Sequence, residues 1–373
     1  MDPRKLRLGL VFAAVAIALA FVLPLAAGEP SLRMRPTAWP EVAMAGLLFL
    51  VAAWFADGRA TVPGLVGVVL AAASSLLLLR DTGIAGSAAA GFWAIVTAVW
   101  LASAMSVVSL AAMRPIRANR RRALNLLVPL LFGAIVFYLW EVAVRGFGVP
   151  PVLMPAPSAA ASRFMTSLPT LGADFFQTFV KGVLAGYVIG CGAGLLVAIL
   201  AHRFEFLGRG LLPLGNFFSA LPLVGIAPIM VMWFGFDWPS KAAVVALVTF
   251  FPMLVNALAG LSASGHIERD LMRSYAANYS QSLTKLYLPA ALPFIFNALK
   301  INATLALIGA IVAEFFGTPT QGIGFRISTE AGRMAIDMVW AEIALAALAG
   351  MAFYGLVTLA ERATTFWHPS YRT

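Results

Sequence analysis

The sequence predicts an all-α integral membrane protein, and three observations carry that prediction. Of the 373 residues, 61% are hydrophobic and only 11% are charged, whereas soluble domains are about half apolar and a quarter charged. The mean hydropathy is +0.90. The apolar residues gather into about ten runs, each near the ~20 residues that a helix needs to cross a bilayer. These runs lie near 8–27, 42–56, 62–80, 90–113, 125–145, 176–201, 210–235, 240–261, 294–316 and 340–361, and the second is short. Only structures that satisfy their own backbone survive in lipid, so the runs are expected as helices.

The N-terminus opens on basic residues and then an apolar run, as a signal peptide does. The run from Leu8 to Ala27 is long enough to span and more spans follow, so an uncleaved first helix is expected. Basic residues then set orientation. Arg4, Lys5 and Arg7 place the N-terminus in the cytoplasm. Arg114, Arg117, Arg120, Arg121 and Arg122 follow the fourth run, and His202, Arg203 and Arg209 the sixth. His266, Arg269, Arg273 and Lys285 follow the eighth, and Arg362 and Arg372 the tenth. Each falls after an even number of crossings, so both termini are expected on the cytoplasmic side. Arg33 and Arg35, in the loop 28–41, break the pattern.

The formal net charge of +10 does not point to nucleic acid, because the basic residues sit between apolar runs rather than in a soluble basic module. The single cysteine, Cys191, excludes an intrachain disulfide framework, and three His offer no metal constellation. The arginine cluster reads as a seam. It divides an N-terminal four-span bundle, 1–113, through a basic linker, 114–124, from six spans with longer loops, 125–373. No internal repeat is visible, which counts against a secondary transporter built from duplicated halves.

The longest polar stretch at an expected cytoplasmic position is 262–293, SASGHIERDLMRSYAANYSQSLTKLYLPAALP. Ile267, Leu271 and Tyr275 are spaced by four, which puts them on one helix face. Leu283, Leu286 and Tyr287 suggest a second short helix, and Pro289 and Pro293 open the ninth span. Two short amphipathic helices would make a projecting knob, or an ordinary loop packed on its own bundle.

The segment from Asp270 to Pro289 resembles the coupling-loop signature of binding-protein-dependent ABC importer permeases. That signature begins Glu-Ala-Ala, carries Gly six residues after the Glu, and ends in Leu-Pro. Here Asp270 stands at the acidic position, Leu271 and Met272 at the alanines, Ala276 at the glycine, and Leu288-Pro289 at the end. Alanine tolerates positive φ poorly, so Asn278 is expected to take the turn conformation instead. PAPSAAASRF at 155–164, ALPLVGIAPIMVMWFG at 220–235 and LIGAIVAEFFG at 307–317 extend the resemblance over about 125–368. The chain is similar to the branch of permeases for nitrate, sulfonates and taurine, and for thiamine-precursor pyrimidines or riboflavin.

The resemblance implies a six-helix permease core in the bacterial inner membrane, after the extra bundle. Two copies would form the pathway, each docking its loop on a cytoplasmic ABC ATPase. A periplasmic or lipid-anchored binding protein would deliver the solute. ATP and Mg would be held by the ATPase, because this chain has no Gly-x-x-x-x-Gly-Lys loop, and no cofactor is expected here. The chain itself would perform no chemistry. Arg269 and Arg273 are candidates for ion pairs with the ATPase, and Asp270 for a cap or ion pair near the start of the loop helix. The wording of the C-terminal third, from 272–278 to 366–372, leans toward an aromatic heterocycle as solute, with nitrate or a sulfonate open. An ion-coupled secondary transporter is the rival reading.

Inside the spans, Gly182, Gly186, Gly190 and Gly194 form a ridge without side chains, for contact within the bundle or between two copies. Pro213, Pro222 and Pro228 interrupt the seventh span, as a pathway lining or a plain kink. Asn256 is a buried polar candidate in the eighth. Asn302, Ala306, Ala310 and Glu314 share one face of the ninth, a small polar stripe suited to an aqueous pathway. Lys300 is expected to snorkel. Glu141, Lys181 and Glu314 are expected to form one outer-side network.

Overall fold

The computed structural model describes residues 3–27, 29–33, 39–55, 61–81, 84–113, 118–204, 206–211, 213, 222–317 and 320–367. Asp2, Arg35, Arg114, Arg117 and Arg372 lie outside the described residues, as do 214–221 of the seventh run and the end of the C-terminal segment. Eight of the described helices are long and apolar enough to cross a membrane, and Pro40–Trp54 and Leu223–Phe234 are shorter apolar helices. Together they fall on the ten expected runs.

The chain divides into two compact units, Met1–Ala161 and Ser162–Thr373. In the first, α1 (Pro3–Val22), α2 (Pro40–Phe55), α3 (Thr61–Asp81) and α4 (Ala90–Ala112) pack as a bundle, α1 against α2 and α4, and α3 against α2 and α4. Phe49, Leu78, Phe92 and Ile95 fill its centre and are fully buried. An all-α reading omits a short antiparallel hairpin after α1, between β1 (Pro24–Ala26) and β2 (Glu29–Arg33). Its strands pair in the register Pro24↔Arg33 and Ala26↔Glu29. The fifth helix, α5 (Ala118–Gly146), belongs to this unit by contact and packs on α3 and α4. The Tyr138 and Ser75 hydroxyls meet at 2.8 Å between α5 and α3.

α6 (Pro157–Thr166) leads from the first unit into the second. There α7 (Leu168–Phe175), a wider π-helical stretch (Phe176–Val183) and α8 (Leu184–Arg203) run as one span. Then come α9 (Leu223–Phe234) and α10 (Trp238–Leu261). Two short helices follow, α11 (His266–Ser274) and α12 (Tyr279–Ser282), then a π turn (Leu283–Tyr287). α13 (Leu288–Glu314), the short α14 (Ile323–Gly332) and α15 (Ile336–Thr364) complete the unit. α10 is the central element, with α8 and α13 packed on it.

The glycine ridge explains the closest of these contacts. A Cβ on Gly186 would lie 2.5 Å from the Ala242 carbonyl oxygen, and one on Gly194 would lie 2.6 Å from that of Phe250. One on Gly190 would lie 2.8 Å from Ala246 Cα and would also strike Thr249. Gly182 has more room, with Lys241 Cβ at 3.4 Å. The ridge therefore lies against α10 of the same chain, where absent side chains let two backbones approach.

Candidate functional site

The segment joining α10 to α13 is the knob that the sequence outlines, two short helices and a tight turn. α11 starts after Gly265 and carries Glu268 in its first turn and Arg273 in its last, each sign suited to the helix dipole. Its apolar face is bare: Ile267 is 84%, Leu271 55% and Tyr275 78% exposed. These three large apolar side chains are turned away from their own bundle rather than packed on it.

The turn after α11 departs from expectation. Ala276 adopts φ +50, while Asn278 keeps φ −73. Ala277 N–H donates to Met272 O at 3.0 Å and Ala276 N–H to Arg273 O at 2.9 Å. This pair of bonds is a Schellman motif, and it forces the left-handed conformation on the residue that stands at the glycine position. Asn278 instead caps α12. Its side chain accepts from Gln281 N–H and the Gln281 side chain accepts from Asn278 N–H, both at 2.9 Å.

The charged residues of the loop also differ from expectation. Asp270 sits in the middle of α11, not at its start, and makes only an exposed contact of 3.5 Å with Arg273. Arg269 folds back onto the end of α10. Its guanidinium donates to Ser262 O at 2.6 Å, Ser264 O at 2.7 Å and Ser264 Oγ at 2.9 Å. It ties the knob to the span. Arg273 is the one that stays exposed. Leu288 and Pro289 open α13, with Pro289 in its first turn where a missing N–H costs nothing.

At the other end of α13, about 40 Å away by helical rise, lies a buried polar clamp. It holds the first turn of α14. Gly322 N–H donates to Asp174 Oδ1 at 2.7 Å, Ile323 N–H to Thr178 Oγ1 at 2.8 Å and Gly324 N–H to Glu314 Oε2 at 2.7 Å. Thr178 in turn donates to Glu314 at 2.8 Å. Arg326 pairs with Asp174 at 2.8 Å. Two carboxylates at a helix N-terminus meet its positive dipole end. Lys241 is buried beside them and donates to the carbonyls of Phe236, at 2.5 Å, and Gly317. Glu342 is buried as well, and neither of its oxygens has a hydrogen-bond partner among the described residues. Just outside the spans, the Trp238 N–H and the Gln177 amide hold the Asp237 carboxyl below the usual carboxylate range.

Glu141, Lys181 and Glu314, expected as one outer-side network, each meet partners within their own unit. Glu141 is held by Arg145 at 2.5 Å and by Ser158. Lys181 lies over the Phe176 ring. Glu314 has Thr178 and Gly324. Local partners a few residues away meet the first two charges at little entropic cost. Lys300, expected to snorkel, instead pairs with Glu361 at 2.9 Å.

The remaining candidates are placed as follows. Asn302, Ala306 and Ala310 are completely buried, and Glu314 nearly so. Asn302 donates to Thr249 O at 2.7 Å and Cys191 Sγ at 3.2 Å, which joins α13 to α10 and α8. The stripe expected to face an aqueous pathway is thus packed inside the unit, because its small residues are what allow three helices to meet. Asn256 donates to Pro252 O at 2.8 Å and accepts from Asn297 at 3.4 Å. Pro222 is the residue before α9 and Pro228 lies inside it. The sequence reading missed Asp174, Thr178, Lys241 and Arg326. A lysine and an aspartate at the margins of apolar runs were the available signal.

These features can be set beside known proteins. The family model of the binding-protein-dependent transport system inner membrane component matches residues 190–367. The formylaminopyrimidine transport permease protein ThiX of Halalkalibacterium halodurans is 30% identical over 251 residues, 66% of this chain and 98% of that protein. The riboflavin transport system permease protein RibX of Chloroflexus aurantiacus is 30% identical over 253 residues, 66% and 91% of the two chains. A putative aliphatic sulfonates transport permease protein, SsuC of Bacillus subtilis, is 29% identical over 246 residues, 65% and 88%. The secondary-transporter reading is thereby set aside. The chain belongs to the family of binding-protein-dependent transport system inner membrane components, the permeases of ATP-binding-cassette importers for small solutes.

Proposed function

We propose that two copies of this chain form the transmembrane pathway of an importer, and that α11 and α12 of each copy dock on a separate cytoplasmic ATPase. The observation that carries this is the bare face of Ile267, Leu271 and Tyr275 on a knob stiffened at both ends, by Arg269 and by the Asn278–Gln281 box. A stiff knob passes on the motion of its partner, and only contacts that differ between two states can drive a change. ATP and Mg belong to the ATPase. The knob and both termini lie in the cytoplasm, and the α14 clamp toward the outside of the inner membrane, as the positive-inside rule supports. A binding protein delivers the solute.

For the solute we favour a small aromatic heterocycle, a thiamine-precursor pyrimidine or riboflavin, as the names of two relatives suggest. Nitrate, sulfonates or taurine form the second class. Pro222, Pro228 and Asn256 are the residues that best fit a pathway lining, since the stripe on α13 is packed.

Mild-detergent co-purification from the host tests the reading. An ABC ATPase should accompany the wild type and be lost from Ile267→Glu/Leu271→Glu, which alters only the exposed face. Titration of the co-purifying binding protein with formylaminopyrimidine, riboflavin and taurine then separates the solute classes. If no ATPase appears even after crosslinking in the membrane, the docking role is wrong.

A further inference from the structure

Besides Arg269, a second tie joins the knob to the spans, and it involves no residue of the coupling signature's ends. Tyr279, the first residue of α12, donates its phenolic proton to Ile199 O in the last turns of α8, at 3.2 Å. With that proton committed, Tyr279 Oη is left as an acceptor, and His202 Nδ1 lies 3.3 Å from it. The other side of the His202 ring meets Tyr287 edge-to-face, with centroids 4.6 Å apart. The Arg203 guanidinium lies 5.3 Å from the Tyr279 ring centroid. Thus the last two residues of α8 grip two tyrosines of the knob.

The position of this clasp gives it work to do. At the same level a cavity of about 410 Å³ opens between the ends of α8 and α10, with Ala201 and His202 on one side and Leu258 and Ser262 on the other. The glycine ridge that locks α8 to α10 lies further along, at Gly186, Gly190 and Gly194. Near the knob, then, α8 is attached through Tyr279 and Tyr287, and α10 through Arg269.

We infer that Tyr279 and His202 are positioning residues for coupling: they make the end of α8 follow the knob when the ATPase moves it. This rests on the docking role proposed above. Without the clasp the knob would still dock and move, but the end of α8 would follow only through the deeper contacts of α8 with α10 and α13.

Hydrogen–deuterium exchange on the co-purified complex, with and without ATP and vanadate, tests this. Peptides from the knob (266–287) and from the end of α8 are read separately in wild type, Tyr279→Phe, His202→Leu and His202→Gln. In wild type, both regions should respond to nucleotide. In Tyr279→Phe, which keeps every ring contact, and in His202→Leu, the knob should still respond while the α8 response falls by about threefold to tenfold, the loss of one or two hydrogen bonds. His202→Gln, which can still donate to Tyr279, should restore it. A merely structural role predicts weaker knob and α8 responses together, with no rescue. An α8 response equal to wild type in Tyr279→Phe overturns the inference, as does a wild-type α8 that stays silent while the knob responds. If the wild-type knob itself does not respond, the docking role has failed, and the clasp role falls with it.

Discussion

Arg326 and Asp174 are 152 residues apart in the chain, yet their side chains pair at 2.8 Å, and Asp174 is completely buried. The same carboxylate accepts the Gly322 N–H. One aspartate thereby holds both the first turn of α14 and its fourth residue.

Arg326→Leu should strip the partner from this buried charge. Breaking a buried pair from one side costs about 3–5 kcal/mol, and the partial exposure of Arg326 puts this case at the low end. Asp174→Asn/Arg326→Leu should lose less than the sum of the two single changes. Thermal unfolding in detergent, followed by tryptophan fluorescence, measures both.

Gly190 and Gly192 differ in environment within one helix. Gly190→Ala should destabilise by about 2–3 kcal/mol, because its Cβ would push into Ala246 and Thr249 backbone and side chain. Nothing lies within 4 Å of a Cβ on Gly192, so Gly192→Ala should stabilise by about 0.5–1 kcal/mol through helix propensity. The same unfolding assay checks the pair.

Ala276 takes φ +50 without being glycine. Ala276→Gly should relieve about 1 kcal/mol of left-handed strain, offset in part by greater freedom in the unfolded chain. Slower amide exchange at positions 276 and 277, the donors of the turn, would report it. Ala276→Val should do the reverse.

Asp237 has its carboxyl held below the usual range by the Trp238 N–H and the Gln177 amide. A depressed folded-state pKa contributes stability above the unfolded value, about 3.9, and that stability is lost as pH falls through the folded value. Asp237→Asn should therefore lower the melting temperature at neutral pH and leave a smaller difference from wild type under acid conditions. Melting curves across pH 3–7 for the two proteins compare them directly.

The knob was legible because its signal is local. Spacing by four puts Ile267, Leu271 and Tyr275 on one face whatever surrounds them, and the order of residues from Asp270 to Pro289 can be matched as a string. The turn was misread because residue preference alone was weighed: Asn278 outranks Ala276 for positive φ, but the two hydrogen bonds of the Schellman motif decide the matter. The clamp was illegible for the opposite reason. Its members, from Asp174 to Arg326, come from three separated segments, and no spacing rule relates them.

Composition, run length and charge placement by themselves determined that this chain is helical, crosses a membrane many times and carries a polar knob between two spans. Those properties follow from the transfer of apolar groups out of water and from helix periodicity, which act on contiguous residues. Only the tertiary structure decided where the small and polar residues of the spans turn. It set the glycine ridge against α10 of the same chain, enclosed Asn302 among three helices, and paired Lys300 with Glu361. An apolar helix in lipid presents no polar face to fix its rotation, so close packing and a few buried hydrogen bonds make that choice.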